Sequence, residues 1–378
     1  MIHFLTHPHH RYTQSFDWLK KAIGQEVRML YGDVATLQEY LPSLSHSAPR
    51  LLVLFQLDYL AAWCSQFTKV LCMPMYDLTR MSPDNYLSSL RQVEWICFSR
   101  TLHQRLSGLG LSSRYLQYAP DPSGFQEVGW EHGPSGYFWE RMPQELDSQA
   151  ASQLVFGLPV CRLEVRKMGD SLFGVTNSGD AKKGAEQLWQ SHSAYLENLR
   201  QFNIYVAPRR VEGIGMTFIE AMAMGMCVVA ENQPTANEYI TGGVDGILYG
   251  GDEKRLFMPS QRSHAEFQRI GQRARKTIQT IHEKWEIEKG AIRQTIDRLI
   301  QTAWKQESEP SALLLQATLE FQQRPETFWK MFVKPNGSIW RSSTIECRAR
   351  RDASLFGWVC SLLRNPRRAL LALLDKSS

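Results

Sequence analysis

The chain contains no C-x-x-C pair, and its seven cysteines are irregularly spaced. That pattern fits reduced core thiols better than a disulfide framework or a zinc site. No long hydrophobic run occurs either. The most apolar stretch, LLVLFQLDYLAAWC at 51–64, is interrupted by Gln56 and Asp58 and is too short to span a bilayer. The opening residues, MIHFLTHPHHR, lack the basic and apolar regions of a signal peptide, so a cytoplasmic protein is expected. Residues 1–340 carry no net charge. From Arg341 onward eight Lys/Arg face three acids, which accounts for the whole surplus of +5. A nucleic-acid partner would want basic residues spread over a folded face, so none is expected.

Two phosphate-binding signatures also fail. A dinucleotide fingerprint on Gly213 and Gly215 needs glycine or alanine at 218, where Phe218 stands. A phosphate loop on Gly179 and Gly184 needs lysine at 185, where Ala185 stands. His7, His9 and His10 cluster after the first apolar run; they suggest either a metal site or, more simply, loop residues, and no metal is expected.

What is present is a series of short apolar runs with helical patterns between them, as parallel strands of an α/β fold require. Strands are expected near 2–6, 27–31, 51–55, 69–73, 95–99 and 114–118, then again near 136–141, 161–166, 204–208, 227–230 and 246–250. Helices are expected at 15–23, 101–110, 144–154, 184–201 and 216–225, with one long helix over 261–305. The Pro/Gly-rich stretch APDPSGFQEVGWEHGPSG at 119–136 separates the two series. The expected organisation is therefore a Rossmann-like domain over 1–120, a linker over 121–135 and a second Rossmann-like domain over 136–305. A helical return segment with a basic amphipathic tail then fills 306–378. Two such doubly wound sheets bind ligands in the cleft beyond the carboxyl ends of their strands.

The segment EGIGMTFIEAMAMG at 212–225 enters a helix that otherwise reads as core, yet it carries Glu212 and Glu220. Gly213 and Gly215 thin the turn so that backbone amides can approach a ligand. Free amides at a helix start suit a diphosphate, and carboxylates accept hydrogen bonds from ribose or sugar hydroxyls. A plainer reading remains open, in which both acids only cap or salt-bridge the helix start.

The longer run APRRVEGIGMTFIEAMAMGMCVVAENQPTANEYITGGVDGILYG at 207–250 resembles the donor-binding core of group 1, or family 4, retaining glycosyltransferases of the GT-B fold. Glu212 and Glu220 match that family's Glu-x7-Glu motif, followed by EAMAMG, the buried CVVA and NEYI. Weaker resemblance covers 1–120 and 136–200, including the serine-and-helix element CFSRTLHQRLSGLGL at 97–111.

The resemblance implies an α/β GT-B architecture and a retaining hexosyltransferase that uses a nucleotide diphosphate sugar, with no cofactor or dedicated metal. The acceptor would be a glycan or lipid-linked glycan, in cell-surface polysaccharide synthesis. Glu220 would hold the ribose, Glu212 the transferred sugar. Backbone amides of Gly213, Ile214, Gly215, Met216 and Thr217 would take the diphosphate together with Arg141, whose planar fork suits phosphate oxygens. Asp77 stands where many members keep a histidine beside the sugar; a helix N-cap is its plainer role. The family's lysine after Arg141 is missing, since Gln144 and Glu145 occupy that region. Lys167, Lys182 or Lys183 would replace it, or the site rests on one cation. The alternatives are another GT-B enzyme, such as a sugar-nucleotide epimerase, or a scaffold that keeps the fold without catalysis. The tail at 345–376, with Phe356 and Trp358 among arginines, suits either an anionic membrane surface or packing on the first domain.

Overall fold

The computed structural model describes residues 1–11, 16–155, 162–167, 192–250, 263–305, 312–321 and 323–332. Eleven strands are present among them. β1 (Ile2–Thr6), β2 (Arg28–Tyr31), β3 (Leu51–Phe55), β4 (Val70–Met73), β5 (Glu94–Cys97) and β6 (Ser113–Tyr115) form one sheet in the order β2-β1-β3-β4-β5-β6. β7 (Ser135–Glu140), β8 (Arg162–Lys167), β9 (Ile204–Val206), β10 (Cys227–Glu231) and β11 (Ile247–Tyr249) form the other, in the order β11-β10-β9-β7-β8. All pairings in both sheets are parallel. Parallel sheets need cover on both faces, and β1, β3, β4, β9 and most of β10 are buried along their length. Cys64, Cys72, Cys97 and Cys227 are free thiols within these cores.

Every apolar run expected to be a strand is one, with ends shifted by a few residues. β6 ends at Tyr115 and β9 at Val206, short of the expected 118 and 208. The helices fared less evenly. Val34–Ser43 was not expected, although Asp33 caps it by accepting from the Thr36 amide at 2.8 Å. The single helix expected over 261–305 is two, His264–Glu288 and Gly290–Gln301. Gly290, a poor helix former, stands where they join. The described part of the expected 184–201 helix is His192–Leu199.

That joint carries the chain back from the second sheet to the first. His264–Glu288 packs on β10 and on the helix Met216–Ala223, whereas Gly290–Gln301 packs on the helix Asp17–Ile23 and β3. Trp285 closes the passage, with its ring 5.4 Å from Trp18 and 5.3 Å from Tyr118. Ala312–Leu319 and Pro325–Lys330 then dock on the first sheet's helices, Phe321 stacking on Tyr59 at 4.1 Å and Phe328 meeting Tyr86 edge-on at 5.7 Å. The tail at 345–376 lies outside the described residues, as do Lys182 and Lys183.

Candidate donor site between two sheets

The loop 207–215 leaves β9 at its carboxyl end and turns into the helix Met216–Ala223. Gly215 makes the turn at φ 84°, and a Cβ there would run into the Phe218 ring. It also occupies the N-cap position, so no side chain caps the first turn. Ile214 is buried, while Met216 and Thr217 are half-buried at the helix start.

Gly213 also lies against the first domain. A Cβ on it would lie 2.9 Å from Met75 Sδ and 3.0 Å from Asp77 Oδ1. Its missing side chain therefore also lets the Tyr76–Thr79 helix of the first domain pack close against the turn. The turn is one of the places where the two domains touch.

That contact carries a dense charge cluster. Arg209 Nη1 donates to Asp77 Oδ2 at 2.7 Å, lies 4.0 Å from Glu212 Oε2, and its Nε lies 3.8 Å from Glu145 Oε2. Burial pushes the Glu212 carboxyl up to about 7, even though Arg209 and Arg141 both pull it down. Arg141, just past β7, holds its guanidinium 5.3 Å over the Trp139 ring. Its charge also helps, as the smallest contribution, to lower His9 in the His7–His10 turn.

In that turn His7 and His9 bring their Nδ1 atoms to 2.5 Å, and His10 bonds Gln56 Oε1 at 3.1 Å. Burial lowers His7 to about 4 and His10 to about 3, so both imidazoles are neutral at pH 7. Among the described residues no group of acids, histidines and cysteines is placed to hold a metal ion.

Glu220 lies elsewhere. It is buried in the second turn of its helix, and its Oε1 pairs with His192 Nε2 at 3.0 Å. That bond is the main cause raising the His192 imidazole above its usual range. The structure thus gathers Asp77, Arg141, Gly213 and Glu212 at one pole and sets Glu220 at another. Lys167, one of the proposed substitutes for the missing lysine, is exposed on β8 and lies 3.9 Å from Glu140.

Sequence reasoning missed Arg209, His192 and Glu238. Arg209 was visible as one of two consecutive arginines beside the Glu212 loop. Glu238 was visible only as the acid of NEYI, with no sign of its role, because its partners lie across the cleft. Its carboxylate accepts from Ser99 Oγ at 2.8 Å and from the amides of Arg100 and Thr101 at 2.6 and 3.1 Å. It thereby caps the helix Arg100–Gly108 of the opposite domain.

Three solved structures share the two-domain fold. Sucrose-phosphate synthase from Thermosynechococcus elongatus superposes over 79% of this chain and 99% of its own, with a TM-score of 0.57 and 12% identity. Anabaena HepE, solved with UDP and glucose, superposes over 80% of this chain and 100% of its own, with a TM-score of 0.52 and 14% identity. The lipopolysaccharide outer core galactosyltransferase WaaB does so over 78% and 99%, with a TM-score of 0.51 and 10% identity. The fold is GT-B. Residues 187–258 match the family model "Glycosyl transferases group 1". A curated relative, the lipopolysaccharide core biosynthesis mannosyltransferase LpsB of Rhizobium meliloti (strain 1021), is 41% identical over 69 residues. That alignment spans 18% of this chain and 20% of the relative's length. In this GT-B frame the matched segment contains the loop 207–215, the helix behind it and both candidate glutamates.

Proposed function

We propose that this chain is a retaining glycosyltransferase that moves a hexose from a nucleotide diphosphate sugar to a hydroxyl of a glycan or lipid-linked glycan, in cell-surface polysaccharide synthesis. One observation carries the reading. The segment that matches the group 1 family model brings Glu212 and, from the opposite domain, Asp77 onto one guanidinium, Arg209, at the carboxyl ends of both sheets.

In this reading Arg141 and the uncapped amides at Met216 and Thr217 take the diphosphate and stabilise the charge that grows on it as it leaves. Glu212 holds the transferred sugar. Glu220 accepts the ribose hydroxyls, sharing its carboxylate with His192, since an ionised carboxylate has room for several donors. The acceptor enters from the first domain, where the neutral His7–His10 turn feels the charge of Arg141. No cofactor or resident metal is part of the proposal. Among the described residues no helix is long and apolar enough to cross a membrane. We place the enzyme at the cytoplasmic face, with the basic segment 345–376 on anionic lipid.

A thermal-shift screen against nucleoside diphosphates and their sugars tests the donor half, because a ligand that binds the folded state raises the melting point. One base is expected to stabilise most, with its hexose derivative transferred to a saccharide acceptor. No stabilisation by any nucleoside diphosphate rejects the proposal. Sugar-nucleotide turnover without any acceptor points to an epimerase instead.

A further inference from the structure

Glu212 is more than nine-tenths buried, yet its Oε1 has no hydrogen-bond partner among the described residues. Asp77 Oδ1, Glu145 Oε2 and Arg209 Nε are buried and unpartnered in the same way. All four atoms belong to one cluster, because Arg209 sits between the three carboxylates. Buried polar atoms are ordinarily satisfied, and each exception carries the cost of lost hydration. Four exceptions together, contributed by both domains, describe a site whose hydrogen bonds are completed by something other than protein.

The chemistry of the set restricts what completes it. Three atoms are carboxylate oxygens, which only accept, or mostly accept where Glu212 is protonated; one is a guanidinium N–H, which only donates. A ring hydroxyl does both. The 3.8 Å gap between Arg209 Nε and Glu145 Oε2 is too long for a direct hydrogen bond, and a hydroxyl oxygen brought beside both atoms would bridge it. An anion is disfavoured between these side chains, because three acids already share Arg209. Glu145 also occupies the region where the resembled family keeps a cation, so the change runs toward negative charge at this point of the cleft.

Resting on the donor-site reading above, we infer that Asp77, Glu145 and Glu212, held in place by Arg209, read the ring hydroxyls of the transferred sugar and select a neutral hexose against a hexuronate. Glu145 and Arg209 thereby become specificity-determining residues of the site. Glu145 supplies the charge that repels a sugar carboxylate, and Arg209 fixes the spacing of the three acids.

The test compares a nucleoside diphosphate hexose with the matching hexuronate on the same base, in the full chain and in Glu145→Gln and Glu145→Ala. The unaltered chain is expected to show at least a hundredfold higher kcat/KM for the hexose. Glu145→Gln should narrow that ratio at least tenfold by gaining on the hexuronate. Glu145→Ala should narrow it and also lose on the hexose, while affinity for the sugar-free nucleoside diphosphate stays within twofold in both. Equal use of the hexuronate by the unaltered chain overturns the inference, as does an unchanged ratio in both folded variants. Either result leaves the glycosyltransferase reading standing. Failure of the unaltered chain to bind any nucleoside diphosphate rejects that reading, and the inference falls with it.

Discussion

Glu212 and Glu220 stand eight positions apart on one loop-and-helix unit, and both are buried, but their surroundings differ in kind. Glu212 lies among two arginines and two further carboxylates drawn from both domains, with one oxygen unsatisfied. Glu220 meets one imidazole of its own domain through a well-formed bond, on a side chain that is 46% exposed. The first arrangement depends on how the domains meet, the second does not. Charges around a buried group do not replace a hydrogen bond to it. For Glu212, desolvation outweighs two nearby guanidinium groups. The difference teaches that one short motif is divided between a pole that Asp77 completes from across the cleft and a pole that folds with the second domain.

Mutation separates the poles most strongly at Glu212. Glu212→Ala should lower kcat by about a hundredfold to a thousandfold, the range typical for loss of a group aimed at transition-state charge, with nucleoside diphosphate affinity nearly unchanged. Steady-state kinetics and calorimetric titration check both halves. A variant that keeps its turnover removes Glu212 from the chemistry. Glu220→Ala should do the reverse and weaken nucleotide binding by about tenfold to a hundredfold, as expected for a hydrogen bond to a charged group, with less change in kcat. If both variants shift affinity and turnover alike, the division between poles is wrong.

The Glu212 pole should also appear as a pH effect on stability. Its folded carboxyl is raised to about 7 from the ordinary glutamate value of 4.5. The folded chain therefore holds this proton more tightly than the unfolded one. The favourable contribution is complete below about 4.5, declines as pH rises, and is gone once pH passes about 7. The difference is at most about 3 kcal/mol. Melting curves between pH 5 and 8 should flatten in Glu212→Gln relative to the parent chain. Coincident curves would show that the carboxyl is better solvated than the packing implies.

A smaller effect is expected where the domains touch at Gly213. A Cβ at that position meets Met75 and Asp77 within 3.1 Å. Gly213→Ala should strain the contact by about 1–3 kcal/mol, as overpacking does, and reduce turnover while leaving nucleotide affinity at the Glu220 pole intact. Met75→Ala should recover part of the loss. If Gly213→Ala is as active as the parent, the two domains work farther apart than they stand here.

The strands were readable from sequence because parallel sheets buried on both faces need uninterrupted apolar runs, and LLVLF, KVLCM and CVVA have few other uses. Helix breaks were harder, since the joint at Lys289 and Gly290 depends on the chain crossing between domains, which no local pattern records. The site divides in the same way. Glu212, Glu220 and Arg141 could be named because spacing and resemblance act along the chain. Arg209 between Asp77 and Glu145, and Glu238 on Ser99, could not, because each joins segments far apart in sequence. The contact at Gly213 was hidden for the same reason. Sequence shows that Gly213 lacks a side chain, whereas only the fold shows that Met75 and Asp77 use the room.

The smallest effect is expected at His192, and it bears on the Glu220 pole alone. The imidazole is raised above its usual value mainly by its hydrogen bond to Glu220. The pair therefore stabilises the fold fully below the ordinary histidine value of 6.5 and fades as pH rises through the raised folded value. Nearly half of the side chain faces solvent, which screens the pair. His192→Gln should thus reduce the melting-temperature difference between pH 6 and pH 8 by only about 1 °C. Nucleotide affinity should fall only slightly, because Glu220 keeps its place and needs the ribose to complete its hydrogen bonds more than it needs the imidazole. A variant whose pH–melting curve superimposes on the parent's would mean that Glu220 is not paired with His192 in solution. The contrast between a bonded pole and an unsatisfied one would then rest on Glu212 alone.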